Sequence, residues 1–338
     1  MRIAVAGLGF MGSMHLKALR NIPGATLHAV VSSDPAKLAG DLSGIQGNLG
    51  GPGEKMDFTS VRKYTRVEEA LADPDVDAID ICLPTHRHAE VATAALQAGK
   101  HVLVEKPLAL DGAEADAVLA AAAASGRILM TAQVLRFFPD YLPLADLIRC
   151  NKLGPVRSAL FRRRCAAPTW SAWLADASRS GGGVFDLLIH DVDICLHLFG
   201  APEAVSATGH EDMQRGIDTI TAQLHYPAIG SVTITGGWHH PQSYPFSMEY
   251  TVVAEEGTVD YSSAHRPPSL YRADGSEELL PVPEKDGYQA EIEYFLDCCR
   301  TGRKPAICPP EESAAAVKIA RLMAEARNGK GETIPCKL

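Results

Sequence analysis

The sequence predicts an α/β protein: an N-terminal, doubly wound parallel sheet followed by an α+β domain with a large, mostly antiparallel open sheet. Three observations predict it. A short apolar strand runs into a glycine-rich turn and a helix within residues 1–19, and strands and helices then alternate up to residue 134. Between residues 204 and 271, strand-like segments follow one another without helices. Alternating β and α segments build parallel sheets, whereas consecutive short strands build antiparallel ones.

The first nineteen residues contain the motif that begins the first domain. Ile3–Ala6 is an uninterrupted apolar run, as expected of a parallel strand buried on both faces. It continues into Gly7-Leu8-Gly9-Phe10-Met11-Gly12 and a helix over Ser13–Leu19. This G-x-G-x-x-G spacing is a dinucleotide-binding fingerprint: Gly7 permits the turn, Gly9 lets the backbone approach a pyrophosphate, and Gly12 lets helix and strand pack closely. Phe10 and Met11, at the start of the helix, are further candidate cofactor contacts.

The end of the second strand bears on which dinucleotide is bound. Leu27–Val31 is apolar and is followed by Ser32, Ser33, Asp34 and, after Pro35-Ala36, by Lys37. A carboxylate at this place binds the ribose 2′-hydroxyl of NAD, whereas small polar or basic residues accommodate the 2′-phosphate of NADP. Asp34 comes late for the first role and, before Pro35, can equally cap a helix. Ser32, Ser33 and Lys37 therefore favour NADP(H), with NAD(H) as the alternative.

The remainder of the first domain, placed at residues 1–133, continues the alternation. The glycine-rich segment Ala39–Gly53 is expected to be a mobile surface excursion. The segments after it are a helix over Val67–Leu71, a strand over Ala78–Leu83, a helix over Ala89–Ala98, a strand over His101–Val104, a helix over Gly112–Ala124 and a strand over Ile128–Val134.

The second domain, placed at residues 134–338, has a different rhythm. Thr219–Leu224 and Ser231–Thr235 alternate polar and apolar residues, which is typical of a sheet with one covered face. Its expected elements are helices over Pro139–Cys150, within Gly181–Phe199, and over Gln289–Cys299 and Pro310–Arg327, with strands over Val156–Arg163, Ala204–Gly209, Thr219–His225, Ser231–Thr235, Ser247–Ala254, Gly257–Tyr261 and Ser269–Tyr271.

Composition excludes several classes of partner. The chain has 338 residues, 46% of them hydrophobic, and a formal charge of −9, which argues against a nucleic acid or an anionic membrane as partner. The N-terminal apolar run is short and broken by glycine, unlike a signal peptide, and no stretch is long enough to span a membrane. The eight cysteines show no C-x-x-C pair and indicate reduced thiols. We therefore expect a cytoplasmic protein.

Lys106 is the first candidate for chemistry. It lies in Glu105-Lys106-Pro107, directly after the apolar run His101–Val104. Open α/β sheets bind ligands at the carboxyl ends of their strands, so a lysine at this place would face the nicotinamide. A solvated surface lysine is the alternative. Arg136, just beyond the last strand of the first domain, would either contact the cofactor or bridge the domains.

The second candidate is the segment Gly181–Asp193. Asp186 and His190 are four residues apart, so on a helix they share a face, and the glycines before them would let the backbone approach a substrate or cofactor. Imidazole titrates near neutral pH and a carboxylate one turn away can orient it, which favours acid–base chemistry. A structural histidine is one alternative. A metal site formed by His190, Asp193 and His197 is another; because the paired spacing of zinc motifs is absent, we expect no metal.

Together these residues resemble the glucose–fructose oxidoreductase, inositol dehydrogenase and rhizopine-catabolism (Gfo/Idh/MocA) family. The resemblance rests on the glycine fingerprint, on Glu105-Lys106-Pro107, and on Gly181-Gly182-Gly183 followed by Asp186 and His190. It implies a Rossmann domain, a second domain whose open sheet makes subunit contacts in a homodimer or homotetramer, and NAD(P)-dependent chemistry on a sugar, polyol or cyclitol. It also implies that Lys106, Asp186 and His190 are the active-site residues. Leu83-Pro84-Thr85 with His88 resembles the family loop that passes the cofactor.

The implied reaction is a hydride transfer between the nicotinamide and a carbinol carbon in the interdomain crevice. His190 would take or give the hydroxyl proton, Asp186 would orient His190, and Lys106 would stabilise alkoxide charge. Lys106 and His190 can exchange the proton role. Two other functions stay open: a regulator that senses cofactor or sugar without turnover, and a reductase of another small carbonyl or imine.

Overall fold

The computed structural model describes residues 1–47, 51 and 53–338. It contains two compact units. The first is formed by Met1–Val134 together with Asp286–Ala314, and the second by Leu135–Lys285 together with Ala315–Leu338. Residues 286–314, expected in the second domain, thus belong to the first unit.

The first unit is built on a six-stranded parallel sheet. Its strand order, β3-β2-β1-β4-β5-β6, is that of a doubly wound Rossmann domain, as predicted. Its N-terminal elements are β1 (Arg2–Ala6), α1 (Phe10–Leu19), β2 (Thr26–Val31), α2 (Pro35–Leu38), β3 (Arg62–Tyr64), α3 (Val67–Ala72), β4 (Ala78–Ile81), α4 (His88–Gln97), β5 (His101–Glu105), α5 (Gly112–Ser125) and β6 (Leu129–Ala132). The central strands are buried along almost their whole length. They are therefore mostly apolar rather than alternating, with Asp80 of β4 and Glu105 of β5 as buried charged exceptions.

The glycine-rich segment expected on the surface contributes to the core. Leu42 is fully buried and packs in a cluster with Val5 and Phe58, and Asp41 forms a β-bridge with Lys55. The expectation of a surface excursion is wrong for these residues, because one large apolar side chain fixes a segment that has no period of its own. Residues 48–50 and 52 of the same segment lie outside the described residues.

The second unit is built on a nine-stranded sheet. Its elements are α6 (Leu142–Arg149), β7 (Val156–Cys165), α7 (Ala177–Ser180), α8 (Gly183–Phe199), β8 (Ala204–Asp212), β9 (Ile217–Tyr226), β10 (Ile229–Trp238), β11 (Ser247–Ala254), β12 (Gly257–Ser262), β13 (Arg266–Arg272) and β14 (Glu277–Leu279). The chain ends with α9 (Gly287–Thr301), α10 (Pro310–Asn328) and β15 (Ile334–Pro335). The strand order is β14-β13-β12-β11-β7-β10-β9-β8-β15, and within it only β7 and β10 pair in parallel. The predicted mostly antiparallel sheet is confirmed.

Helix α8 covers one face of this sheet. It packs on β7, β9 and β10, where Phe161 and Ile234 are fully buried. The buried guanidinium of Arg163 in β7 donates two hydrogen bonds to the buried Asp191 of α8. A paired charge of this kind fixes the helix on the sheet, because losing either partner would leave the other unpaired in the interior.

No helix in the described part of the chain has the length and apolar character required to cross a membrane.

Candidate functional site

The glycine turn of the first unit divides its tasks among three glycines. Gly7 has φ +100°, and a Cβ there would lie 2.3 Å from the carbonyl oxygen of Cys82. A Cβ on Gly12 would lie 1.9 Å from the carbonyl oxygen of Gly7, whereas a Cβ on Gly9 would meet nothing within 4 Å. Gly9 is the N-cap of α1 and supplies no side-chain cap, so the first-turn N–H groups of Phe10 and Met11 are left for a ligand. The turn thus fits a dinucleotide pyrophosphate.

The turn after β2 settles the conformation of Asp34. Its carboxylate caps α2 by accepting hydrogen bonds from the N–H groups of Ala36 at 2.9 Å and Lys37 at 3.4 Å. Its own N–H donates to Ser32 Oγ at 3.1 Å, and Ser33 is exposed. Of the two alternatives for Asp34, the structure therefore shows the helix cap.

The loop after β4 is fixed by His88. This residue is 1% exposed, with Nδ1 2.6 Å from the carbonyl oxygen of Pro107 and Nε2 2.7 Å from that of Leu83. Burial lowers the pKa of His88, against the opposing effect of the two carbonyls. The expected cofactor contact is thus replaced by a positioning role: the ring joins the Leu83-Pro84-Thr85 loop to the segment after β5. Thr85 itself is also buried.

Strand β5 ends at the candidate lysine. Lys106 is partly exposed, and its N–H donates to Glu105 Oε2 at 3.0 Å. Glu105 Oε1 lies 3.0 Å from Nε2 of His15 in α1. Burial alone would raise the pKa of Glu105, but its close contact with His15 and the positive charges of His15 and Lys106 lower it. An ionised, buried carboxylate therefore holds the peptide of Lys106.

The glycines at the start of α8 serve packing within their own unit. A Cβ on Gly183 would lie 2.4 Å from the Trp238 ring, and one on Gly182 would lie 2.7 Å from Asp218 Oδ2. The same oxygen accepts the N–H of Val184 at 2.9 Å. The close approach that Gly182 and Gly183 permit in the structure is therefore to an aspartate and a tryptophan of the sheet.

Asp186 and His190 lie on the same buried stretch of α8. Both are partly exposed, although residues 183–185, 187–189 and 191–196 are buried. They follow one another by one helical turn and so share a face. Burial, with the negative charge of Asp186, raises the pKa of the nearby Cys165 thiol to about 12. Two polar side chains thus keep solvent access on an otherwise buried helical segment.

Arg136 lies within the second unit and has a structural partner. It is 2% exposed, and it donates to both carboxylate oxygens of Asp193, at 2.8 and 2.7 Å. A further guanidinium nitrogen lies 3.5 Å from His197 Nδ1. The expected cofactor contact from Arg136 is not supported by this geometry. The pairing also removes Asp193 from the alternative metal site with His190 and His197.

Sequence reasoning missed a buried polar cluster beneath the glycine turn. His15, Asp80, Glu105 and Glu291 are each at most 5% exposed and lie together in the first unit. The available signal was a charged residue inside each of two apolar strands, Asp80 in β4 and Glu105 at the end of β5. No local sequence pattern indicated that α9 supplies Glu291 to this cluster, because Glu291 lies 276 positions after His15 in the chain.

Comparison with known proteins gives the family. A profile described as an oxidoreductase family with an NAD-binding Rossmann fold matches residues 1–133, and a GFO/IDH/MocA C-terminal domain profile matches residues 141–260. The chain is 36% identical over 320 residues to 4-carboxy-2-hydroxymuconate-6-semialdehyde dehydrogenase of Sphingobium, which covers 90% of this chain and 92% of that protein. The chain belongs to the Gfo/Idh/MocA family of oxidoreductases.

Other Gfo/Idh/MocA proteins are similar over the same length. The scyllo-inositol 2-dehydrogenase (NAD(+)) of Bacillus subtilis is 28% identical over 323 residues, with 90% of this chain and 88% of that protein covered. The structure of levoglucosan dehydrogenase with NADH and levoglucosan superposes with a TM-score of 0.85 over the whole of both chains, at 19% identity, and so shares the fold. The family's relatives are named for NAD(+) and for NADP(+), so this Rossmann domain belongs to a group that uses both cofactors.

Proposed function

We propose that this Gfo/Idh/MocA protein transfers a hydride between NAD(P) and a carbinol or carbonyl carbon of a sugar, polyol or inositol. The observation that carries the proposal is the partial exposure of Asp186 and His190 on a helix whose neighbouring residues are buried. Lys106, partly exposed at the end of a parallel strand, adds a cation where such sheets bind ligands. A pure binding protein would not need this acid–base set. Relatives named as inositol and sugar dehydrogenases support the same substrate class.

The residues would share the reaction as follows. A bound nicotinamide would supply the hydride acceptor in oxidation and the donor in reduction. His190 takes the hydroxyl proton as the C–H hydride leaves, so that the carbinol becomes a carbonyl. Asp186 orients the imidazole, and the Lys106 ammonium stabilises negative charge on the reacting oxygen. In the alternative assignment, Lys106 takes the proton and His190 donates a hydrogen bond.

For the cofactor we propose NADP(H) over NAD(H). The support is the β2–α2 turn, where the carboxylate of Asp34 is occupied as a helix cap. Ser32, Ser33 and Lys37 offer hydroxyl and ammonium groups to a 2′-phosphate. Equal or better turnover with NAD(+) would contradict this preference.

A second substrate class is favoured by one relative. The dehydrogenase of Sphingobium, 36% identical over most of the chain, is named for a carboxylated semialdehyde. The same lysine, aspartate and histidine could reduce or oxidise such a small carbonyl compound. This candidate differs from the first in the substrate's negative charge.

We also propose that a second copy of the chain covers the open face of the nine-stranded sheet, in a homodimer or homotetramer. The pairing registers place Leu160, Val253, Tyr271 and Leu279 on the face opposite α8. Their exposed fractions are 38, 36, 38 and 67%. Exposed apolar side chains gathered on one face are typical of an interaction surface. All eight cysteines are free, in keeping with the proposed cytoplasmic location.

The test is a turnover screen monitored by nicotinamide absorbance. The purified protein is given NAD(+) or NADP(+) with a panel of aldoses, polyols and inositols, and separately a carboxylated semialdehyde. We expect turnover with at least one polyhydroxylated substrate and a higher kcat/KM with NADP(+). Cofactor binding, measured by fluorescence, without any absorbance change across the panel would instead support a sensing regulator.

A further inference from the structure

A buried ionic network lies beneath the cofactor-binding turn of the first unit. His15 of α1 is fully buried and faces three carboxyl groups: Asp80 of β4, Glu105 of β5 and Glu291 of α9. Interiors tolerate charged groups only when they are paired and hydrogen-bonded. The arrangement therefore restricts the protonation state of each member.

The distances require both ring nitrogens of His15 to carry hydrogen. Nδ1 is hydrogen-bonded to Asp80, at 2.9 and 3.1 Å from its two carboxylate oxygens. Nε2 lies 3.0 Å from Glu105 Oε1 in an ion-pair contact that lacks hydrogen-bond alignment. Ionised carboxylates only accept hydrogen bonds, and a neutral imidazole has a single N–H. A neutral ring would set a lone pair against a carboxylate on one side, so the geometry selects the imidazolium.

The third carboxyl group completes the charge balance. Three ionised carboxyl groups around one imidazolium would leave two unbalanced negative charges in the interior. Glu291 is the member able to stay neutral: its nearer oxygen is 3.9 Å from His15 Nε2, and neither oxygen has a hydrogen-bond partner among the described residues. Burial, together with the charges of Glu105 and Asp80, raises the pKa of Glu291 well above its usual value. Burial opposes the charged form of His15, but Asp80 and Cys82 raise its pKa well above the usual value.

The network connects the two parts of the candidate site that the first unit contributes. Helix α1 begins at the glycine turn, and its His15 holds Glu105 Oε1. The other oxygen of Glu105 accepts the N–H of Lys106 at 3.0 Å. We propose that His15 is a positioning residue whose imidazolium, through Glu105, fixes the backbone of Lys106 relative to the cofactor-binding helix, with Glu291 as its neutral neighbour. Residues from three elements face His15. They are Asp80 of β4 and Cys82 directly after that strand, Glu105 of β5, and Tyr288 and Glu291 of α9.

The two contacts of His15 can be separated with amide side chains. The amide nitrogen of glutamine extends as far as Nε2 and can still reach Glu105, whereas that of asparagine extends only as far as Nδ1 and reaches Asp80. His15→Gln should keep kcat within about two-fold of the wild type, and His15→Asn should lower kcat about ten-fold with little change in cofactor KM. The matched control is His28→Gln, since His28 pairs with Asp73 at 3.0 Å away from the network.

This test distinguishes positioning from a purely structural role. Each variant loses one of the two carboxylate contacts of the ring, so a structural role predicts similar losses of stability and equal effects on kcat. Equal kcat values in His15→Gln and His15→Asn would overturn the proposal. The kcat comparison rests on the proposed function; a wild type without turnover would contradict that function, and the protonation measurements below would still test the network.

The protonation states are tested without turnover. Ring nitrogen NMR of histidine-labelled wild type should show His15, assigned as the signal lost in either variant, with two protonated nitrogens at about pH 8. A neutral His15 ring, or a stoichiometric metal ion found in the purified protein by elemental analysis, would overturn the proposal, because a metal would occupy Nδ1.

Glu291→Gln provides a second variant, which mimics the neutral acid and should fold. A glutamate in the unfolded chain loses its proton at about pH 4.3, whereas folded Glu291 keeps its proton to a higher pH. The stability of the wild type therefore falls as the pH rises from the pKa of the unfolded chain through the raised pKa of the folded protein. Glutamine cannot ionise. The fall in urea midpoint between about pH 5 and about pH 8 should therefore be smaller in Glu291→Gln than in wild type or in the exposed control Glu68→Gln. An unchanged fall would overturn the neutral assignment of Glu291.

Discussion

At the scale of single side chains, the candidate site residues differ in their solvent access. Lys106, Asp186 and His190 are partly exposed, whereas Arg136 and His88 are at most 2% exposed and bonded within the protein. Catalytic side chains must reach a substrate, and a buried, fully paired group must first break its pairing. Substitution of the three partly exposed residues should therefore affect the reaction rate rather than folding.

We predict that Lys106→Ala and His190→Ala each lower kcat at least about hundred-fold, because each removes a proton-transfer or charge-stabilising group. Cofactor affinity should change little, since the glycine turn is untouched. Turnover and cofactor fluorescence titration measure the two effects separately. Lys63→Ala and His210→Ala, at exposed positions on other surfaces, serve as controls and should retain activity. Near-normal turnover in both site variants would remove these residues from the mechanism.

The placement of a residue was predicted where local spacing decides it and missed where a distant partner does. The four-residue spacing of Asp186 and His190 was enough to place them on one helical face. The roles of Arg136 and His88 depended on Asp193 and on the carbonyl of Pro107, which spacing cannot reveal. Asp34 was left between two roles because both a ribose ligand and a helix cap are compatible with its position before Pro35.

Apolar patterning predicted the larger elements within a few residues. Five strands of the first unit (β1, β2, β4, β5 and β6) and the long helix α8 were found because buried parallel strands and buried helices are apolar over many consecutive positions. β3 (Arg62-Lys63-Tyr64), β14 (Glu277-Glu278-Leu279) and the two-residue β15 were missed. These edge strands are short and mostly polar or exposed, and they are defined by their pairing rather than by their own sequence.

Helix α9 shows a second limit of local pattern. Its sequence predicted a helix correctly but not the unit to which it belongs. It contacts α1, β5 and β6 of the first unit, and there it supplies Glu291 and Tyr288 to the surroundings of His15. The unit to which a helix belongs is decided by contacts with residues far away in the sequence. A short stretch of sequence does not contain those residues, so it cannot predict the unit.

The glycine turn allows a matched pair of substitutions at the scale of one element. Gly12→Ala should destabilise the protein by more than about 3 kcal/mol, because its Cβ would meet backbone that cannot move aside. Gly9→Ala should fold normally, since φ at Gly9 is −87° and its Cβ would meet nothing within 4 Å. It should nevertheless weaken cofactor binding at least about ten-fold, because the methyl group would stand where the pyrophosphate approaches.

Urea unfolding and cofactor titration check this pair. The expected pattern is low stability in Gly12→Ala, and normal stability with weak cofactor binding in Gly9→Ala. Normal cofactor affinity in Gly9→Ala would show that the pyrophosphate does not approach this turn, and would remove the main structural support for the cofactor site.

At the scale of the whole molecule, the two sheets bury different fractions of their surface. The central strands of the first sheet are buried and mostly apolar on both faces, whereas β7 alternates, with Phe161 buried under α8 and Leu160 exposed on the opposite face. An antiparallel sheet can leave one face in water, but water-facing strands usually carry polar side chains. The apolar side chains on this open face are the basis of the proposal that a second copy of the chain covers it.

We predict that Leu160→Glu weakens this self-association, because it places a charge at the middle strand of the open face, where a partner would have to desolvate it. The dissociation constant should rise at least about ten-fold, and light scattering during gel filtration should show a mass that falls toward the 36.1 kDa of one chain on dilution. Ala117→Glu, which adds the same charge at an exposed position of α5, should keep the wild-type mass. Identical masses for the two variants, or a wild type that is already monomeric, would mean that the apolar face has another role, since its exposure would then persist in the native protein.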